Sequence, residues 1–109
     1  MGRDAIPPGT LDMLILKTLA RGGELHGFAI ADAIQQISDD VLTVEEGSLY
    51  PALQRMLAQG WIDGEWGKTD ENRRARFYRL TALGRKHLER ELARYGRVTA
   101  AISRILGTA

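Results

Sequence analysis

Residues 46–57 read EGSLYPALQRML, and the fold of the whole chain depends on how this segment is interpreted. Its larger apolar residues recur at the spacing of one helix face, namely Leu49, Leu53, Met56 and Leu57. A proline costs about 3 kcal/mol inside a helix and little in the first turn, where no N–H partner is lost. We therefore expect a helix that starts within residues 46–48, holds Pro51 in its first turn and stops at Gly60.

The opposite side of this helix carries small and polar residues. They are Gly47, Ser48, Pro51, Gln54, Arg55 and Ala58, with Tyr50 at the border. Small side chains let a helix backbone approach another surface closely. Ser48 beside free N–H groups suits a phosphate, whereas Gln54 and Arg55 can reach base edges in a DNA groove. The alternative is a solvated face on an ordinary core helix, and this segment by itself does not decide between them.

Two further helices are predicted before this segment. Helical spacing and the cap residue Thr10 indicate a first helix that ends at the glycine pair 22–23. A second helix begins near residues 25–27, where His26 caps or packs, and runs to about Gln36. We expect its apolar residues on one side, namely Phe28, Ala31, Ile34 and Ile37.

The pattern changes after Gly60. Residues 61–66 and 74–80 are short, aromatic-bearing runs on either side of a polar tip, which predicts a two-stranded ribbon. Thr81 then caps a last helix that reaches about Leu106. The predicted fold is mainly α with a small β-hairpin: a winged helix-turn-helix domain at residues 1–81 and a C-terminal dimerisation helix at 82–109. In this architecture the third helix enters the DNA major groove and the ribbon, or wing, reaches the backbone.

Positive charge is concentrated in the ribbon. Residues 1–60 hold four basic and eight acidic side chains, whereas residues 61–109 hold eleven basic and six acidic ones. Five of the basic residues belong to the ribbon: Lys68, Arg73, Arg74, Arg76 and Arg79. Strand alternation places Arg74, Arg76 and Tyr78 on one side of the second strand. It places Ala75, Phe77 and Arg79 on the other side. Such cations are suited to contact the phosphates of DNA. The alternative is that they only keep the hairpin soluble. The order of the helices before the hairpin favours DNA contact over this alternative.

The last helix carries a second apolar pattern. Its members alternate in steps of four and three, as in a coiled-coil seam: Leu88, Leu92, Tyr95, Thr99, Ile102 and Leu106. A small winged domain has little surface to cover so long a seam, so we expect a homodimer that pairs through this helix. The alternative is that the seam packs on the first helix of the same chain.

Other classes of function find little support. The 109 residues contain no cysteine, and the two histidines, His26 and His87, are not spaced as a metal pair. No nucleophile, base and orienting residue fall together, so we expect neither an enzyme nor a cofactor or metal site. The first apolar run is interrupted by charges and no run is long enough for a membrane span, so we expect a cytoplasmic protein without a membrane partner.

Five ordered motifs also match a known family. They are GTLDMLIL at 9–16, HGFAI at 26–30, GSLYPAL at 47–53, GWI at 60–62 and NRRARFYRLTALG at 72–84. With them the chain resembles the PadR-like transcriptional regulators over almost its full length. The resemblance implies a sequence-specific regulator of transcription, namely a homodimeric repressor on a palindromic operator in double-stranded DNA.

The resemblance also assigns the parts of the site. It implies that the helix with Ser48, Tyr50, Pro51, Gln54 and Arg55 reads the DNA, and that Arg73, Arg74 and Arg76 belong to the wing. Some relatives sense phenolic or multidrug-like compounds at the dimer interface, which implies a small-molecule inducer there as a further partner. This chain resembles the shorter subgroup with one helix after the wing, and that helix lacks the tryptophan that some members stack on planar ligands.

A second function stays open at this point. The winged helix can also serve as a protein-interaction module without DNA binding. The acidic excess in residues 1–60 and the single arginine in the reading helix favour that alternative.

Overall fold

The computed structural model describes residues 4–7 and 9–107. Within them the helices are α1 (Leu11–Gly22), α2 (Gly27–Ile37), α3 (Glu46–Gln59) and α4 (Ala82–Leu106). The strands are β1 (Asp4–Ala5), β2 (Leu25–His26), β3 (Leu42–Thr43), β4 (Ile62–Lys68) and β5 (Arg74–Leu80). The predicted order of three helices, hairpin and last helix is confirmed. The outer ends of the two predicted domains, residues 1–3 and 108–109, lie outside the described residues.

Local signals fix the ends of the first two helices. Gly23, at φ 79°, ends α1 and donates its N–H to the carbonyl of Leu19 at 2.9 Å. The ring of His26 accepts the N–H of Ala29 at 3.3 Å, so of the two roles predicted for His26, capping or packing, the cap is observed. Thr10 precedes α1, but its hydroxyl donates to the carbonyl of Pro7 at 2.8 Å instead of capping the helix.

The buried face of α2 differs from the expected one. Gly27, Ile30 and Ile34 face the core, at spacings of three and four residues, whereas Phe28 is 72% exposed and Ile37 is 62% exposed. The core of so small a domain is narrow, and it receives the row that starts at Gly27. Phe28 follows Gly27 by about 100° around the axis, which turns its ring out of the core.

Helix α3 starts at Glu46, within the expected range, and ends where Gly60 adopts a left-handed conformation at φ 77°. Pro51 lies in its second turn, so the expectation of a first-turn proline is wrong. Because Pro51 has no N–H, the carbonyl of Gly47 lacks its helical hydrogen bond. Gly47 is exposed, so water can solvate that carbonyl.

The wing is part of a three-stranded sheet and not an isolated ribbon. Strands β4 and β5 pair antiparallel over seven residues each, from Ile62 opposite Leu80 to Lys68 opposite Arg74. Strand β2 adds to the other edge of β5, with Leu25 opposite Tyr78. A two-residue strand has no alternating pattern of its own, which explains why the sequence did not indicate it. The small sheet attaches the wing to the start of α2.

A compact junction joins α3, the wing and α4. The hydroxyl of Thr81 accepts the N–H of Gly84 at 3.0 Å and donates to the carbonyl of Gly60 at 2.6 Å. The N–H of Thr81 reaches the carbonyl of Trp61 at 3.1 Å, and a Cβ at position 84 would overlap that carbonyl oxygen. The predicted cap at Thr81 is confirmed, and Gly84 lets the first turn of α4 lie directly on the chain at Trp61.

The core unites all four helices with the sheet. Its fully buried large side chains are Ile15, Leu16, Leu19, Ile30, Leu49, Leu53, Met56 and Ile62. Leu88 brings the first half of α4 into this cluster, beside α1. Of the helices in the described ranges, none combines the length and apolarity that crossing a bilayer requires.

Candidate nucleic-acid interface

A groove of about 890 Å³ separates the wing from the helix-turn-helix. We use "wing" for β4, β5 and the tip at residues 69–73, and "groove" for the concave surface between the wing, the exposed side of α3 and the start of α2. Three elements from distant parts of the sequence thus meet at one surface. The sheet formed by β2 and β5 holds them together, because β2 leads directly into α2.

Helix α3 supplies one wall of the groove. Tyr50 and Gln54 line it, one turn apart on the same side of the helix. Ser48 and Pro51 are exposed on the same helix without lining the groove. The apolar stripe is turned inward, and Leu49, Ala52 and Leu53 are buried. The predicted division of α3 into a core face and an outer face is confirmed.

Arg55 lies outside the groove, on the side of α3 that faces α1. Its guanidinium donates to the carboxylate of Asp12 at 2.9 Å, and the two side chains are 59% and 30% exposed. They border a second, smaller pocket together with His87 and Glu91 of α4. The structure therefore does not bring Arg55 together with Gln54, because Asp12 attracts its charge to the other side of the helix.

The wing supplies the opposite wall and most of the charge. Arg73, Arg74 and Arg76 line the groove, and no carboxylate lies within 4 Å of their nitrogens in the described residues. Arg79 lies on the other face of the sheet, 3.7 Å from the carboxylate of Glu24. The predicted alternation in β5 is confirmed. Lys68 is exposed opposite Arg74 in the sheet and does not line the groove.

Two carboxylates moderate the positive charge at the tip of the wing. Asp70 and Glu71 line the groove beside Arg73, and Thr69 shapes the turn by accepting the N–H groups of Glu71 and Arg73. Asn72 takes the left-handed conformation at φ 63° that the turn requires. The excess of positive charge therefore lies on β5, toward the floor of the groove.

Aromatic side chains form much of the remaining surface. The guanidinium of Arg74 lies 4.4 Å from the ring centroid of Trp66, which is a cation–π contact. Trp66 is 58% exposed and Phe28 is 72% exposed, and both line the groove. The sequence interpretation missed both residues. Alternation in β4 could have placed Trp66 opposite Arg76, whereas no local signal marks Phe28 as a surface residue.

The floor of the groove contains two tyrosines beside Arg76. Tyr78 is buried, and burial raises the pKa of its phenol; the nearby charge of Arg76 lowers that pKa and Tyr50 raises it, to smaller extents. Tyr50 lies against Gly27, where a Cβ would stand 2.8 Å from the phenol oxygen. The glycine at the start of α2 therefore leaves room for the tyrosine of α3.

A separate apolar surface extends along the second half of α4. Six large apolar side chains are between 38% and 83% exposed there: Leu92, Tyr95, Val98, Ile102, Ile105 and Leu106. Thr99 is exposed with them. Leu88, also predicted as an interface residue, is instead buried against the core of its own chain. The seam thus divides into a short part packed within the chain and a long exposed part.

Solved structures of other proteins share this fold. A transcriptional regulator from Clostridium thermocellum is 26% identical, with a TM-score of 0.80 over 88% of this chain and 92% of that one. A PadR family transcriptional regulator from Eggerthella lenta is 27% identical, with a TM-score of 0.75 over 93% and 85% of the two chains. Bacillus subtilis PadR, solved in complex with operator DNA, is 26% identical, with a TM-score of 0.67 over 79% of this chain and 48% of that one.

The sequence also matches a family model directly. Residues 15–90, which include α2, α3 and the whole wing, match the transcriptional regulator PadR-like family. That family consists of DNA-binding regulators and not of enzymes. Among residues 4–7 and 9–107, no three or more metal-ligating side chains converge. The chain belongs to the PadR-like family of transcriptional regulators.

Proposed function

We propose that this protein is a homodimeric transcriptional repressor that binds a palindromic operator through α3 and the wing. One observation carries the proposal. The arginines that line the groove have no carboxylate partner in the described residues, whereas Arg55 and Arg79, which face away from it, are both in ion pairs. Unpaired guanidinium groups on a concave surface attract a polyanion, and a DNA backbone is the polyanion that fits between a helix and a wing.

The two walls of the groove have different roles in this proposal. Gln54 presents an amide, which can pair with the edge of an adenine in the major groove, and it carries most of the base selectivity. Ser48, at the exposed start of α3, and Tyr50, in the groove wall, contact phosphates, while Pro51 keeps that surface small. Arg73, Arg74 and Arg76, with Lys68 at the wing edge, hold the backbone of the duplex.

Binding to a palindrome requires two copies of the chain, related by a two-fold axis. The exposed part of the seam on α4 supplies the pairing surface, because six large apolar side chains on one helix are otherwise left in water. In this division of labour, residues 1–81 contact DNA and residues 82–109 pair the protomers. Two reading helices then enter successive major grooves, about 34 Å apart on one face of the duplex.

A small-molecule inducer would act at the same dimer interface. Tyr95 is the aromatic side chain that the exposed seam offers to such a compound. Because DNA is the proposed partner, we also propose that the protein works in the cytoplasm. Release of the protein from a preformed DNA complex by an aromatic or cationic compound would support an inducer.

The experiment that tests the function compares two arginines of one strand. A labelled duplex of the DNA upstream of the protein's own gene is titrated with wild type, Arg74→Ala and Arg79→Ala across a salt series. Arg74→Ala should weaken binding and reduce the slope of log affinity against log salt by about 0.9, the value for one lost phosphate contact. Arg79→Ala removes the same charge from the opposite face and should change affinity less than Arg74→Ala.

Two outcomes would contradict the proposal. Equal effects of the two substitutions would mean that the groove is not the DNA surface. An absence of any complex at low salt would favour the alternative, a winged helix that binds another protein.

A further inference from the structure

Gly64 lies in the middle of β4, and its backbone gives no reason for a glycine. Its φ angle is not positive, so an alanine could adopt the same backbone conformation. The pairing of β4 with β5 continues without interruption from Ile62 to Lys68, so no bulge requires the glycine either. Glycine weakens the interior of a strand and often marks a close approach of another group. The reason for Gly64 must therefore lie in what passes over it.

The group that passes over Gly64 is the side chain of Arg76. A Cβ at position 64 would stand 2.6 Å from Nε of Arg76, and 3.1 Å from both Cζ and Nη2. Arg76 is opposite Trp66 in the sheet, and it reaches diagonally across β4 to lie over Gly64. Any other residue at position 64 would push the guanidinium away from this place.

The space over Gly64, called the seat below, encloses the side chain of Arg76 more than the neighbouring arginines are enclosed. Nε of Arg76 is enclosed and has no hydrogen-bond partner, whereas Arg73 and Arg74 are exposed. An enclosed donor without a partner costs free energy, so folding stability alone does not favour this arrangement. Such a cost is typical of a functional position, where a group is kept in place for a ligand.

We propose that Gly64 is a positioning residue for DNA binding, because its missing Cβ creates the seat that fixes Arg76 at the floor of the groove. The inference rests on the proposed function, in which the groove holds the DNA backbone. A long side chain that is free in solution loses conformational freedom when it binds a phosphate. Arg76 has lost that freedom beforehand, and its outer nitrogens are ready for the phosphate. Gly64 itself touches no DNA and carries no charge.

The decisive test is a double-mutant cycle between Gly64→Ala and Arg76→Ala, measured on the same upstream duplex. Gly64→Ala should weaken binding about two- to tenfold, the factor for immobilising one long side chain on binding. It should have no further effect in the Arg76→Ala background, because the seat then holds nothing. Gly67→Ala is the matched control, since its Cβ would meet the ring of Phe77 at 3.2 Å and no arginine.

The outcomes separate this inference from the proposed function. If Arg76→Ala weakens binding and Gly64→Ala does not, the seat is refuted and the groove remains the DNA surface. If Gly64→Ala weakens binding equally in both backgrounds, its effect does not pass through Arg76 and the inference also fails. If Arg76→Ala leaves binding unchanged, Arg76 is not a DNA contact. Both the inference about Gly64 and the role of Arg76 in the proposed function are then wrong.

A second measurement needs neither DNA nor a correctly folded Gly64 variant. In the wild-type protein, NMR should find that the Nε–H of Arg76 exchanges with water more slowly than the Nε–H of exposed Arg73. Equal exchange rates would show that Arg76 is not seated, and would overturn the inference whatever the binding data. Where Gly64→Ala folds, it should bring the two exchange rates together.

Discussion

The guanidinium of Arg55 in α3 donates to the carboxylate of Asp12 in α1 at 2.9 Å, although 43 positions separate the two residues in the sequence. The pair lies on the side of α3 that faces away from the groove. Gln54, in contrast, lines the groove. Two consecutive residues of α3 therefore point in different directions, Gln54 into the groove and Arg55 toward Asp12. The charge that a sequence pattern assigns to DNA is already satisfied within the chain.

The first prediction concerns these two neighbours. Arg55→Ala should alter the ranking of operator variants less than Gln54→Ala, because Gln54 lines the groove and Arg55 is held by Asp12. Both side chains of the ion pair are partly exposed, so Arg55→Ala should change the free energy of unfolding by less than about 1 kcal/mol. Affinities for a panel of single-base operator variants measure the first effect. A larger loss of selectivity with Arg55→Ala would mean that Arg55 leaves Asp12 when DNA binds.

This contrast shows what the sequence could predict. The caps at His26 and Thr81 depend on residues three positions apart, so the sequence contains the whole interaction. The faces of α3 and β5 follow from the fixed periods of helix and strand. The direction of Arg55 depends on where Asp12 lies in space, and no local pattern reports that.

The other differences between the predictions from sequence and the structure have related causes. Strand β2 exists because β5 offers it an open edge, and its two residues are too few to show alternation. Phe28 was expected on an apolar face, but the narrow core leaves it at the groove. No local pattern marks Gly64, because the need for a glycine arises from Arg76 on the neighbouring strand. Helix boundaries were thus predictable, whereas contacts between elements required the structure.

The second prediction compares one substitution at two positions of α4. Gly84→Ala should lower the free energy of unfolding by about 3 kcal/mol, because its Cβ would overlap the backbone carbonyl of Trp61, which cannot move aside easily. Gly96→Ala should raise it by roughly 0.5 to 1 kcal/mol, because nothing lies within 4 Å of the new Cβ and alanine favours a helix. Chemical denaturation of both variants measures the two effects. Destabilisation by Gly96→Ala would indicate a close approach of another helix at that position.

The third prediction concerns stability at alkaline pH. Burial raises the pKa of Tyr78 above its ordinary value of 10.0, so the unfolded chain releases this proton at a lower pH than the folded chain. Above about pH 10 the folded state then binds more protons than the unfolded state, and the free energy of unfolding must fall as pH rises. Tyr78→Phe should remove this part of the decline, whereas Tyr95→Phe, which leaves the buried phenol of Tyr78 in place, should retain it. Urea unfolding from about pH 9 to pH 11 provides the comparison, and equal declines in both variants would contradict the assignment.

The last prediction concerns the exposed seam of α4. Ile102→Glu places a charge among the exposed apolar side chains, and Ile102 is 50% exposed in the single chain, so the fold itself should tolerate the change. If two copies pair through this surface, burial of the charge opposes association, and the variant should be a monomer at concentrations where the wild type is a dimer. Light scattering coupled to size-exclusion chromatography measures the mass, and circular dichroism verifies the fold. Arg97→Glu is a control that introduces the same side chain at an exposed position of the same helix outside the apolar seam.

The monomeric variant should also bind a palindromic duplex more weakly than the wild type, while its affinity for a half-site stays the same. A dimer that persists in Ile102→Glu would place the pairing surface elsewhere on the molecule.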